Sequence, residues 1–481
     1  MSSAAAAPGS GRARAAEQVD RVNRWALRRL PDLNREILAG TRPGSTFPAE
    51  LAHAVLPDLP DPRELTVARC EQLVVSLGLA GASVARHYQE ADEAHRATPA
   101  AAFDGLVTAD GRSFRQYFGE IADRTGTGHA HRDTFSSLVR WNLPPCDVEV
   151  AGATLVSVRS RFADGRARTY TGAPDEVRFL GLLKASEAVE QAANTLLNPI
   201  SDGTLHPDDP YAANSVARAV VLIDLLRSIN QDFIARPPED GLRTGFFLDV
   251  FRQFAVHWEV GDVPPSGAQD VEFLIRDLLL GIDLAEYPRM LRAVFPSLLA
   301  GERLALYELF ERPSLPELVL DHLDLDGGQQ LEAATPAELR ALVHEHPVLA
   351  ALYLLLNAHA RIAGVHLRMS KRFLFDPQRD RDQSGYGDPG VVSNRVGTTG
   401  MDEQRLELLT HARHHHPLRA LRAVPARELE EIAGLPRLRD QHVEVRFRGT
   451  TLSPEELGLP APGLPQLRPP AHLHEHATGR H

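Results

Sequence analysis

The chain has almost no lysine, almost no cysteine and no long apolar run. Lys184 and Lys371 are the only lysines among 481 residues, and arginine supplies the remaining positive charge. Together with abundant alanine, proline and glycine, that skew is what a GC-rich coding bias produces, so clustered arginines carry less weight than usual. Cys70 and Cys146 are too few for a disulfide framework or a cysteine-based zinc site. No run of 18 or more apolar residues occurs, so no membrane span is expected. Residues 1–17 lack the apolar stretch of a secretory signal, and a cytoplasmic protein is expected. A net charge of −12 argues against nucleic acid and against an anionic membrane as partners. Also missing are a dinucleotide fingerprint after a strand, a phosphate-binding P-loop, a G-x-S-x-G elbow and an H-E-x-x-H zinc motif.

What is present is helical periodicity, with 43% hydrophobic residues to fill a core. Residues 1–17 are rich in Ala, Ser, Gly and Arg and are expected to be disordered. Helical patterns then cover 19–38, interrupted at Pro31, followed by 62–93 and 113–124. The segment 147–170 alternates apolar and polar residues around a turn at Ala163-Asp164-Gly165, as a β-hairpin would. Helical spacing returns over 174–197, 210–235, 245–258, 268–283, 287–310, 315–325, 336–375, 402–411 and 425–433. Residues 441–452 alternate again as a strand, which is expected to pair with the hairpin, and a proline-rich tail follows. The expected fold class is all-α, a large helical domain with a small sheet appended. Its divisions are a disordered 1–17, a small helical region 18–146, a hairpin 147–172, a large helical domain 173–416 and a C-terminal extension 417–481 with one strand.

Three stretches could carry chemistry. In 358–377, AHARIAGVHLRMSKRFLFDP, His366 sits in an apolar helical pattern with no nearby acid, and GTTGM follows at 397–401. Such a histidine is either a hydrogen-bonded core residue or a ligand to a metal or haem iron. In 246–258, FFLDVFRQFAVHW, the residues Phe247, Phe251, Phe254 and Trp258 share one helix face, and Arg252 borders it. An arginine beside an aromatic wall suits an amino-acid carboxylate, which its planar fork grips at both oxygens; a surface arginine paired with Asp249 is the alternative. Ser266, Gly267 and Ala268 precede an apolar helix and would let a flat ligand approach the backbone, or Ser266 is a plain N-cap. The histidines at 411, 414, 415, 416, 472, 474, 476 and 481 have no Asp or Cys at fixed ligand spacing and read as adventitious metal binders.

These stretches, in order, resemble the indoleamine/tryptophan 2,3-dioxygenase superfamily. Phe247-Leu248-Asp249-Val250-Phe251-Arg252 resembles its F-x-x-V-L-R segment. Ser266–Asp270 with Leu279-Leu280-Gly281-Ile282 resembles S-A-G-Q-S…L-L-G-I. Val365–Arg368 with Phe373–Pro377 resembles the proximal haem-ligand helix, and Gly397-Thr398-Thr399-Gly400 its G-T-G-G loop. Tyr170–Glu176 and Trp141-Asn142 are similar to the Y-T-G-x-P-D-E and W-N of the monodechloroaminopyrrolnitrin synthase group of the same superfamily.

The resemblance covers roughly 140–411 and implies a helical haem-binding domain of the indoleamine dioxygenase type, with haem b as cofactor and O2 or peroxide as co-substrate. It implies His366 as the iron ligand, Ser266, Gly267 and Ala268 against the cofactor, Arg252 on the substrate carboxylate and Phe247 on its aromatic ring. Thr398 and Thr399 would close over an aromatic amino acid, tryptophan or a substituted indole, in a secondary-metabolic setting. Gly181 falls near a distal serine position. The chain departs from the family where Thr399 and Met401 replace smaller loop residues. Ring-cleaving dioxygenation, ring rearrangement or hydroxylation, a non-catalytic haem sensor or carrier, and a haem-free scaffold all stay open. So does homo-oligomerisation.

Overall fold

The computed structural model describes residues 8–127, 131–325 and 328–460. Helices dominate, and the residues at their ends explain where they begin. Ser113 with Gln116, Ser314 with Glu317 and Thr335 with Glu338 each form a reciprocal capping box. Pro174, Pro210 and Pro347 open their helices, where a missing N–H costs nothing. The helices Pro174–Ser201, Pro210–Ala235 and Pro347–Ser370 pack together around Leu182, Val189, Val220, Leu225, Leu352 and Leu355. A second apolar cluster joins Pro8–Leu38, Val67–Ala91 and Phe114–Thr125 around Val22, Leu73, Leu77 and Phe118, and takes in Phe254 and Trp258 from later in the chain. Two helices, Val67–Ala91 and Pro347–Gln383, are long and apolar enough to cross a membrane by length and composition, with 78% of each tested window buried inside the protein.

The expected small sheet forms. Strands β1 (Cys146–Val150), β2 (Ala153–Val158) and β3 (Val443–Phe447) run in the order β2-β1-β3, all antiparallel, with Cys146 opposite Phe447 and Val150 opposite Val443. The hairpin turn is not at 163–165. It is Ala151-Gly152, both at positive φ (52° and 78°), the geometry that matches strand twist in a two-residue loop. Ala-Gly is a weak turn signal beside Ala-Asp-Gly, and Gly165 serves instead to let its backbone approach Gly449.

Other differences have packing causes. Residues 8–17, expected to be disordered, belong to the Pro8–Leu38 helix, because the buried stripe of Val19, Val22, Ala26, Leu30 and Leu33 extends back to Ala15. The helix also runs through Pro31, whose lost hydrogen bond is outweighed by that burial. Residues 1–7 and 461–481, with the histidines at 472, 474, 476 and 481, lie outside the described residues. The segment 417–460 feeds Leu418, Leu421, Leu429, Leu435, Val443 and Val445 into the main core.

Candidate functional site

Each wall of the central cavity is explained by a local feature of the chain. The expected helix over 245–258 is instead a short turn, Thr244–Phe246, a π-helical turn, Phe247–Phe251, and a 3-10 turn, Arg252–Phe254. The widened π turn shifts the register, so the aromatic stripe splits. Phe247 and Phe251 face the cavity, whereas Phe254 stacks on Tyr170 at 4.2 Å and, with Trp258, joins the N-terminal core. The π turns Ser136–Arg140 and Lys371–Phe375 border the same space through Leu138, Val139, Phe373 and Leu374. π turns recur at functional sites because they re-aim side chains without ending a helix.

The space consists of two adjoining lobes of about 210 and 160 Å³ that share Leu183, Gly267, Ala268, His366, Met369 and Met401. The first lobe is edged by Phe179, Phe247 and Phe251, with ring centroids of 5.4 and 5.5 Å from Phe179 to the other two. Arg252, Ser266, Thr398 and Thr399 line the same lobe. A Cβ on Gly267 would meet no atom within 4 Å, so the backbone there borders open space.

His366 stands between the lobes. Protein surrounds it, and burial, with the Arg413 charge adding, pushes its pKa down to about 4. Much of its surface is nevertheless open. The open side of the ring borders both lobes. Neither ring nitrogen has a hydrogen-bond partner among the described residues. The imidazole is therefore neutral at pH 7, with a lone pair free for a ligand.

Arg252 is buried, and one Nη donates to the carbonyls of Ser393 (2.8 Å) and Val396. Its Nε is buried without a partner, and no carboxylate among the described residues pairs with it. Burial pulls its pKa down to about 10, with the Asp388 charge opposing, so it stays protonated at neutral pH. Asp249, the alternative partner, holds Arg381 through two bonds of 2.7 and 2.8 Å. The loop before Gly397 is tied down beside Arg252. Gln253 brackets Val392 at both its N–H (2.8 Å) and its carbonyl (3.1 Å), and Asp388 accepts from Ser393 Oγ (2.7 Å) and from the Asn394 N–H.

Two expected residues have other duties. Ser266 Oγ accepts from the Ala268 N–H (3.3 Å) in a capping box with Gln269, and Thr398 Oγ1 donates to the Pro265 carbonyl (3.3 Å), although both border the cavity. Gly181 does not border it. A Cβ there would collide with the Leu457 carbonyl, so this glycine admits the Glu455–Leu457 turn on the outer side of its helix. The side facing the cavity carries Phe179, Leu183, Ser186 and Glu190. Their i, i+4, i+7 and i+11 spacing was legible as a helix face, with Gly181 opposite.

Behind the second lobe lies a buried network that sequence reasoning missed. Asp277 accepts from Arg413 (2.7 and 2.9 Å), Tyr287 Oη (2.6 Å) and His359 Nε2 (2.6 Å), while His359 Nδ1 accepts from Arg276 (3.0 Å). These bonds fix the His359 tautomer, and burial lowers its pKa to about 4. The carboxyls of Glu190 and Asp270 also border this lobe, both raised by burial, with Arg276 opposing the shift at Glu190 and the Glu190 charge adding to it at Asp270. Among the surface histidines, His411 and His415 approach to 2.9 Å between Nε2 atoms. No known protein family and no curated protein matches this chain.

Proposed function

We propose that the chain is a haem-dependent oxidoreductase that acts on an aromatic amino acid, tryptophan or a substituted indole. The observation that carries this reading is His366, whose ring nitrogens have no hydrogen-bond partner among the described residues and which lines a cavity also lined by Arg252, a buried arginine with an unpaired Nε. An ordinary core histidine would be hydrogen-bonded, as His359 is.

The residues present suit the group. His366, neutral and without a hydrogen-bond partner among the described residues, would hold the iron. Gly267 and Ala268 line both lobes beside it and leave room for a flat ring system. Bound haem b would supply an iron that activates O2 or peroxide. Arg252 holds the substrate carboxylate, replacing the counterion it lacks. Phe179, Phe247 and Phe251 pack against the aromatic ring, and the 397–401 turn, closed by the Gly397 N–H to Met401 carbonyl bond (2.7 Å), keeps water from the reacting atoms.

A second reading draws on Thr399 and Met401, which place bulk at the cavity edge. That bulk changes the shape offered to the substrate, and hydroxylation or ring rearrangement of a substituted indole is the alternative to plain ring cleavage. Reduced, haem-loaded protein supplied with O2 and L-tryptophan decides between them. N-formylkynurenine supports ring cleavage, a hydroxylated or rearranged product supports the second reading, and absence of turnover with a series of indoles removes the oxygenase reading.

A further inference from the structure

The start of the helix that carries His366 is also the meeting point of a cluster unrelated to the cavity. His206 and Asp208 lie in the turn between Pro174–Ser201 and Pro210–Ala235. His322 ends the Leu315–His322 helix, and His346 directly precedes Pro347. We propose that His206, Asp208 and His322, with His346 as fourth donor, form a surface site for a divalent transition metal, zinc by its ligand chemistry.

The donor set is mixed nitrogen and carboxylate oxygen, which zinc accepts in four-coordinate sites. One ligand atom from each of His206, Asp208 and His322 lies within 4.8 Å of the others. Bonds of about 2.0–2.1 Å to a tetrahedral zinc place neighbouring donors roughly 3.4 Å apart. The observed separations bracket that value: 2.8 Å from His322 Nε2 to Asp208 Oδ2 and 3.8 Å from His206 Nδ1 to the same oxygen. His346 Nδ1 lies 4.0 Å from the other oxygen, Asp208 Oδ1. His206 and Asp208 are well exposed, so side-chain rotation closes the remaining gaps without disturbing a core.

Mutual hydrogen bonding does not account for this convergence. His206 and His322 meet edge to face with centroids 4.3 Å apart. His206 and His346 lie near Asp208 without a hydrogen bond to it, and a metal cation would bind the imidazole lone pairs in place of protons. Four protein donors leave no open position, which marks a structural site rather than a catalytic one. Metal binding would clamp the turn at 202–209 to the His322 helix end and to the first turn of Pro347–Ser370.

The test is a Zn2+ and Co2+ titration of the full chain, followed by calorimetry, cobalt absorption and Tm. The parent is compared with Asp208→Asn, His322→Ala and a His411→Ala/His415→Ala control. The C-terminal histidines add weak sites common to all variants. Metal that binds folded and unfolded chains alike leaves Tm unmoved. The proposal expects one equivalent to be lost, or weakened at least about tenfold, in Asp208→Asn and His322→Ala but kept in the control. It also expects zinc to raise Tm in the parent and the control only. Equal stoichiometry, affinity and Tm response in the parent, Asp208→Asn and His322→Ala would overturn it.

Discussion

His359 and His366 stand two turns apart on one helix, and of the two only His359 has hydrogen-bond partners among the described residues. Its two nitrogens are engaged by Asp277 at 2.6 Å and Arg276 at 3.0 Å, whereas His366 borders the cavity. The same helix thus carries a histidine that completes a core and one left available for a ligand. What separates them is the acid supplied from Val271–Leu280, which reaches His359 alone.

Arg252→Leu should weaken binding of L-tryptophan to the haem-loaded protein by about 2–4 kcal/mol, the worth of a charge-assisted bond pair. Arg252→Lys should not restore it, since an ammonium cannot present the same fork. Unchanged substrate affinity in Arg252→Leu would remove the carboxylate role and leave Arg252 as an anchor for Ser393 and Val396.

Asp277→Asn should cost about 3–5 kcal/mol in urea unfolding, because it strips the counterion from the buried Arg413 guanidinium. Arg413 and His359 hold the Asp277 carboxyl well below its ordinary 3.8. Its contribution to stability is therefore complete above about pH 4 and fades as pH falls below that. The Asn variant should show a flatter stability curve in acid.

Gly181→Ala should destabilise the fold by about 1–3 kcal/mol through its clash with the Leu457 carbonyl, while ligand binding in the cavity is retained. A selective loss of substrate binding with normal stability would return Gly181 to the site.

Glu272 gives a pH effect of the opposite sign. Burial raises its pKa from 4.5 to about 7 against the Asn194 hydrogen bond (2.9 Å). The folded state therefore keeps a proton that the unfolded chain releases, and stability from this group falls as pH rises from about 4.5 through 7. Glu272→Gln should reduce that decline by on the order of 1–3 kcal/mol between pH 5 and 8, read from urea midpoints.

The helical class, the pairing of a late strand with a hairpin, and the cavity positions of Phe247, Arg252, Ser266–Ala268, His366, Thr398 and Thr399 were legible in the sequence because they rest on local periodicity or on short motifs. The π turns were not. Phe247–Phe251 has the same apolar spacing as an α-helix, and only tertiary packing selects the wider turn that separates Phe251 from Phe254. The Asp277–Arg413 pair was equally hidden, since its members lie 136 residues apart and neither stands out in its own segment. Gly181 was misplaced by attending to motif position instead of helix face.

The most direct test of the account is a hemin titration of the full-length protein, with His366→Ala and His359→Ala in parallel. The parent should take up about one equivalent of haem and show a Soret band with a histidine-ligated spectrum. His366→Ala should lose that ligation, and free imidazole should restore it. His359→Ala should be less stable yet keep the ligation. A parent protein that takes up no haem, or a His366→Ala protein whose spectrum matches the parent, would contradict the account.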